Sequence, residues 1–492
     1  MAKKVVILGG GPAGLSAGWK LAERGCDVSI VELDSRVGGL CKSYYYKDYT
    51  FDLGGHRFIT QDEDLLKDIY DLMGDELYES PRKSVIRLKG KWFHYPLAGK
   101  DLIGKMNPLV SARCFADYLY VSGKKKFVTA RETSLEDWVV NRFGRGLYDI
   151  YFGPYSEKLW GLPPSKVSKD WAAQRISLLN LWDVFKRLLG KKKNSPKTYA
   201  TRFLYPYKGG IGRMCDRMAE RITSNGGRII CNARVTGVNL NETGIRDVTY
   251  THRGNTVNLG ADTFISTIPL PEFIRSITPR VDRAYTDVAD SMKFRSLRFL
   301  NILIDSERIS DNTWIYIPEK KYRVMRIQEP KNWSPTNAPE GKTSLILELA
   351  CNEGDEIWNA GEEELTNLCR DELTSLGLLK GERIDHKFTT RIKHAYPIYT
   401  LDYHSKVKKL FEVLGGVENL VPIGRQGLYR YNNMDHSIKM GFLAAEHIAD
   451  GLPLSEIFKI AMEQDSFETD SVDRKIEESV GMIKPKTVTE ER

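Results

Sequence analysis

The chain has 492 residues, 41% hydrophobic and 28% charged, enough to bury a large core in two or three domains of ordinary globular composition. A formal net charge of +8 is modest for that length, and the lysine clusters lack the aromatic interleaving of a nucleic-acid groove. Seven scattered cysteines without a Cys-x-x-Cys pair, and eight dispersed histidines, argue against a disulfide framework and against a metal site.

Residues 3–8 read as a short buried strand. They run into Gly9-Gly10-Gly11-Pro12-Ala13-Gly14, an apolar helical pattern over 15–21, and a second strand over 27–31 that ends on Glu32. This is a dinucleotide-binding fingerprint in its full context of strand, glycine turn, helix, strand and acid. Gly9 allows the tight turn, Gly11 lets a pyrophosphate approach the backbone, and Gly14 lets the helix pack close to the strand. The unpaired N–H groups of that helix then face the pyrophosphate, while Glu32 suits a ribose hydroxyl. A fingerprint beginning at residue 9 predicts that no signal peptide precedes it, and with reduced thiols this predicts a cytoplasmic protein. No apolar run reaches the length of a bilayer.

Residues 1–85 are predicted to form the first part of the dinucleotide-binding domain, and 86–98 a hairpin, turning at Gly90, that joins a substrate domain. A helical domain follows over 99–205, interrupted at 187–202 by a basic segment with Gly and Pro that reads as a mobile loop. The second part of the nucleotide domain is expected over 206–268, with strands at 228–231, 235–238 and 263–268. A sheet-rich substrate domain covers 269–405, with strands at 297–304, 313–317 and 344–350. A closing segment covers 406–450, and 451–492 is a helix and charged tail. The basic clusters at 124–126 and 186–193 suit solvated helix ends, or a rim that attracts an anionic substrate or a membrane surface.

Arg36-Val37-Gly38-Gly39 resembles the signature of FAD enzymes of the amine oxidase and protoporphyrinogen oxidase type, where an arginine and paired glycines border the flavin. The resemblance makes FAD the first choice of cofactor and a nicotinamide nucleotide the second. The implied fold is α/β: a discontinuous Rossmann-like FAD-binding domain, a helical insertion and a sheet-rich substrate domain.

Three further segments resemble the UDP-galactopyranose mutase family, in the same order and with similar spacing. They are Phe51-Asp52-Leu53-Gly54-Gly55-His56-Arg57-Phe58; Gly144-Arg145-Gly146-Leu147-Tyr148 with Tyr155-Ser156-Glu157-Lys158-Leu159-Trp160-Gly161; and Gly424-Arg425-Gln426-Gly427-Leu428-Tyr429-Arg430-Tyr431-Asn432-Asn433-Met434-Asp435. The resemblance implies isomerisation of a nucleotide-linked or related sugar by ring contraction, through N5 of a reduced flavin, with NAD(P)H as a reductant. By the same resemblance Tyr155 stacks on uracil and Trp160 lies beside the sugar. Arg175 is the mobile-loop arginine, Arg425 the second diphosphate arginine and Tyr431 a diphosphate tyrosine. His56, Arg175 and Arg425 are the catalytic candidates. The implied FAD contacts are Gly9, Gly11, Pro12, Ala13, Gly14, Glu32, Leu33, Arg36, Gly38, Gly39, Leu40, Gly55, His56, Val235, Gly424, Asn433, Met434 and Asp435. The implied partner is an anionic small molecule, a sugar diphosphate; a homodimer is compatible with the sequence.

Bland alternatives exist for each residue. Tyr155 and Trp160 also suit core aromatics at a helix end, Arg175 a surface charge, and His56 a structural histidine. The chain departs from the mutase pattern at Asn433, where the mutases usually carry Asp, across 171–175, and in the extra glycine and arginine of 54–57. An oxidoreductase that passes hydride to the flavin is the alternative chemistry, and a flavin-binding partner without catalysis is a third reading.

Overall fold

The computed structural model describes residues 2–95, 97, 99–124, 132–175 and 202–462. The loop expected at 187–202 lies almost wholly outside the described residues, as do the 186–193 cluster, Lys125, Lys126 and the tail from 463.

Strand β1 (Lys4–Leu8) is the middle of a five-stranded parallel sheet. Its order is Leu420–Pro422, Thr263–Ser266, β1, β2 (Asp27–Val31) and Arg228–Ile230. Val5 and Ile7 enter one core cluster, and Val6 and Leu8 another. Both faces are therefore covered, which is why β1 reads as an unbroken apolar run. Helix α1 (Pro12–Glu23) begins with Pro at its first turn behind Gly11, which has no side chain to cap it, so its leading N–H groups stay open to a ligand. The helix Met434–Asp450 crosses α1 closely. Ser16 Oγ donates to Ile438 O at 3.1 Å, and a methyl group at Gly441 would lie 2.0 Å from that same Oγ. This crossing carries the segment before Met434 back to the first glycine turn.

The second sheet has seven strands, in the order Ile384–Pro397, Phe294–Ile304, Thr343–Cys351, Val324–Gln328, Trp314–Tyr316, Ser84–Leu88 and Lys91–His94. The 84–94 hairpin joins it through a parallel pairing of Ser84–Ile86 with Trp314–Tyr316. Period-two alternation sends Leu345, Leu347 and Leu349 into a core shared with the helix Glu362–Ser375, and so turns Ile346 and Glu348 to the opposite face. A bulge between Val324 and Arg326 places Arg326 directly across from Glu348. The helices Pro108–Lys124, Leu135–Phe143, Gly153–Trp160 and Lys169–Arg175 form the insertion.

Two arrangements were absent from the sequence reading, although the strand it placed at 235–238 belongs to the first of them. One is a four-stranded sheet built from Ala233–Leu240, Ile245–His252, Asn255–Gly260 and Ile277–Thr278. The other is a two-stranded pairing of Leu77–Pro81 with Arg202–Pro206.

Candidate active site

The glycine turn is shaped by close contacts. Gly9 has φ +101°, and a methyl group there would lie 2.3 Å from Thr267 Oγ1; at Gly14 one would lie 2.1 Å from Gly9 O. Gly11 differs, since its nearest neighbour would be Gly39 Cα at 3.9 Å. Gly38 N–H donates to Gly10 O at 2.8 Å, which holds the 36–39 run against the turn. Gly11 and Gly39 thus face each other with backbone alone, a slot that side chains would fill and a pyrophosphate fits.

Glu32 is buried at the end of β2. Its two oxygens accept from Gly10 N–H (2.6 Å) and Asp34 N–H (2.8 Å), and each keeps a lone pair for a ribose hydroxyl. Burial pushes its carboxyl above the ordinary value. Leu33 beside it is 51% exposed, and the strand containing Val235 runs alongside, with Ala233 N–H donating to Glu32 O. The Arg36 guanidinium turns to protein partners instead: Ser43 O, Asp216 and the ring of Tyr45. Leu40 lies in a short turn over Gly39–Cys41.

Gly424 (φ +80°) closes the turn from the other side, where a methyl group would lie 3.1 Å from Ala13 Cβ. Asn433 stands at the start of the helix that begins with Met434 and Asp435, and its N–H donates to His436 Nδ1. That position suits Asn as well as Asp. These backbone-lined slots, acceptors and two helix starts fit a flavin dinucleotide.

Beyond the glycine turn lies a cluster of rings and guanidinium groups. Gly54 and Gly55 are both required there: a methyl group at Gly54 would lie 2.5 Å from Glu348 Oε1, and one at Gly55 would lie 2.4 Å from the Trp314 ring. Burial, together with Arg425, Arg326 and Arg57, pushes His56 down to about 3, so its ring is neutral. Its Nδ1 is buried with no hydrogen-bond partner among the described residues. Arg326 pairs with buried Glu348, donates to Tyr396 OH at 2.7 Å and lies over Trp314. Tyr396 stacks on Tyr431 at 5.6 Å.

Arg425 sits 4.5 Å from the centre of the Tyr431 ring and donates to Ala395 O and Asn432 O. Tyr155 meets Tyr316, which stacks with Tyr95 and Trp314. Trp160 ends its helix edge-on to Trp171 and Tyr396. There Arg295 donates to Leu159 O and Lys158 O, the cation expected at a helix C-terminus.

His56, Trp160, Arg425 and Tyr431 therefore meet through Tyr396 and Arg326, and Tyr155 through Tyr316 and Trp314. Arg175 ends the helix Lys169–Arg175, and its side chain lies outside the described residues. The sequence reading missed Arg326, Glu348, Tyr316 and Tyr396. A signal existed: Arg326 and Glu348 are the lone charges of strands that are buried along most of their length, and such charges need partners.

The model of the flavin containing amine oxidoreductases matches residues 12–452. The chain belongs to that family. A flavin cofactor follows from the membership. Protoporphyrinogen oxidase 2 of Arabidopsis thaliana is 20% identical over 463 residues, 85% of this chain and 88% of the relative. A protein named probable UDP-galactopyranose mutase, from Klebsiella pneumoniae, is 25% identical over 172 residues, 34% of this chain and 43% of the relative. Among solved structures, a reduced UDP-galactopyranose mutase superposes with a TM-score of 0.81 over 95% of this chain and 100% of its own, at 23% identity. A putrescine oxidase bound to putrescine gives 0.61 over 91% and 99%, at 18% identity. The fold class read from the sequence, α/β with a Rossmann-like flavin domain, is the fold of these flavoenzymes.

Proposed function

We propose that this flavoenzyme is mutase-like and acts on a sugar diphosphate, using reduced FAD supplied by a reductant such as NAD(P)H. The observation that carries this reading is the charge state of the ring cluster. Glu348 balances Arg326, whereas half-buried Arg425 has no ion pair among the described residues. A partly buried cation bonded only to carbonyls is stabilised by an incoming anion. The rings of Tyr396 and Tyr431 lie against Arg425, and with Tyr155 and Tyr316 in the same cluster they offer the phenol donors that suit a leaving diphosphate.

The residues divide the work. Arg425 and Tyr431 grip the diphosphate, and Arg175 is the other arginine that the mutase resemblance assigns to it. Tyr155 offers a ring face to the base, and Trp160 a wall beside the sugar. Neutral His56 supplies a hydrogen bond without adding charge. Gly9, Gly11, Gly14, Glu32, Gly38, Gly39 and the 424–435 segment hold the dinucleotide. Bound there in reduced form, the flavin supplies a nucleophilic nitrogen. The added glycine and arginine of Gly54–Arg57, beside Glu348 and Trp314, support a sugar other than the one the mutases act on.

The test is to titrate the purified protein with UDP and UDP-sugars in both redox states and to analyse products. Binding that tightens on reduction, with a ring-contracted product and no stoichiometric loss of reductant, is the expected result. No binding and no furanose product would sink the proposal. The second reading is hydride transfer to the flavin. It is supported by the oxidoreductase character of the family and by the protoporphyrinogen oxidase likeness along 85% of the chain. Substrate-dependent bleaching of the flavin without any diphosphate ligand would favour it.

A further inference from the structure

The helix Pro108–Lys124 is turned inside out. It buries Cys114 and Tyr118, yet Leu109 is 81% exposed, Tyr120 69% and Leu119 42%. Ala112 and Ala116 are exposed between them. A surface helix of a globular protein ordinarily shows water its polar face. Trp92, on the edge strand Lys91–His94, is a further exposed ring, 37% accessible. Lys105 Nζ donates to Trp92 O at 2.7 Å, and Ser111 Oγ to Leu102 O at 2.7 Å. These bonds tie the edge strand, the short helix Gly99–Lys105 and the long helix into one surface. A contiguous exposed apolar patch of this kind marks an interaction site.

Charge identifies the partner. Between residues 82 and 124 the chain carries nine lysines and arginines against two aspartates, a surplus of seven out of the whole chain's eight. Both aspartates are engaged within the protein, Asp101 with His94 and Lys105, and Asp117 with the Gly146 N–H and Arg113, which also pairs with Asp149; Lys83, Lys89, Lys91 and Lys124 keep their charge without an ion pair among the described residues. The sequence continues Lys125-Lys126 directly beyond the helix. A second copy of this chain would set two surfaces of the same sign against each other. Nucleic acid would accept the charge but leave Leu109 and Leu119 in water. An anionic bilayer satisfies both, taking apolar side chains into its interface and cations at its headgroups. Trp92 and Tyr120, each with an apolar body and a polar tip, suit that boundary. Among the described residues no helix is long and apolar enough to cross a membrane, so the contact is with the surface.

We infer that the helix Pro108–Lys124 and the hairpin edge at Trp92 dock this protein on an anionic lipid surface. The same hairpin leads to Tyr95, which stacks on Tyr316 at 4.4 Å, so the docked face adjoins the ring cluster. The inference stands apart from the proposed chemistry, because vesicle binding is read without turnover.

The experiment is flotation of the full-length flavin-loaded protein with vesicles of neutral phosphatidylcholine, and with vesicles containing about 30 mol% phosphatidylserine. Binding to the anionic vesicles only, reversed at about 0.5 M salt, is expected. The double variant Leu109→Ser/Tyr120→Ser should lower the bound-to-free ratio by roughly tenfold or more. Its flavin content and melting temperature should stay unchanged, because both side chains are exposed. No flotation with anionic vesicles at low salt would overturn the inference. So would flotation that the double variant leaves intact, since adhesion by charge alone fits any acidic partner. A dimer in sedimentation that Leu109→Ser dissociates would overturn it as well, by assigning the patch to a second copy.

Discussion

At the scale of single residues, the ring cluster is a balance of two arginines. Arg425, bonded to two carbonyls and lying on Tyr431, is free to meet an anion, so Arg425→Ala is expected to weaken UDP binding by roughly 10- to 100-fold. Flavin content should hold, because the dinucleotide slot is made by Gly11 and Gly39; calorimetric titration beside a flavin spectrum reads both. Loss of flavin would reassign Arg425 to the cofactor. Arg326 behaves differently. Glu348→Gln strips it of its buried counter-charge and is expected to cost about 3–5 kcal/mol in denaturant unfolding. The double variant Glu348→Gln/Arg326→Met should recover part of that loss, since no unpaired charge remains. Of these residues, Arg425 and Tyr431 stood out in the sequence because they lie in one short segment beside a Gly. Arg326 and Glu348 are 22 positions apart on separate strands. Their partnership depends on a bulge at 324–326, which no periodicity in the sequence announces.

At the scale of elements, strands rich in apolar residues were legible: the one read at 297–304 lies within Phe294–Ile304, and the one read at 344–350 within Thr343–Cys351. The pairing of Leu77–Pro81 with Arg202–Pro206 was not, because it joins segments more than a hundred residues apart, and the 202–206 strand is held in addition by a buried carboxylate from a third segment. Asp52 ends the strand Tyr49–Asp52 and accepts from Ser43 Oγ (2.6 Å), Tyr205 OH (2.5 Å) and Ile211 N–H (3.1 Å). It thereby ties that strand to the 202–206 strand and to the start of the helix Gly212–Ser224. Burial pushes its carboxyl up to about 6, against 3.8 for a free side chain, while those hydrogen bonds act in the other direction. A folded-state value above the unfolded one means that the native protein holds the proton more tightly. The stabilisation is complete below about 3.8 and is lost as pH rises through about 6. Asp52→Asn, which stays neutral, should flatten the stability curve across that window. Denaturant midpoints for the two proteins between pH 4 and 7 check this, and parallel curves would refute it.

For the whole molecule, the flavin site exists only when distant parts of the chain have folded together. Gly9–Gly14, the 36–41 run and the 424–435 segment come from opposite ends of the sequence, and they meet because the helix Met434–Asp450 crosses α1. A ligand that binds this assembled site and not the unfolded chain stabilises the entire fold by mass action, by about 2.7 kcal/mol at a hundred times its dissociation constant. Adding FAD to flavin-stripped protein is therefore expected to raise its melting temperature in proportion to the logarithm of FAD concentration. Gly11→Val separates this effect from ordinary destabilisation. Gly11 has φ −77° and ψ 177°, a conformation open to valine, and the space beside it is empty out to 3.9 Å. The variant should fold, with its side chain occupying the pyrophosphate slot. It should purify without flavin and melt at one temperature whether or not FAD is added. A Gly11→Val protein that retained full flavin, or whose melting still tracked FAD concentration, would place the dinucleotide somewhere other than the slot between Gly11 and Gly39.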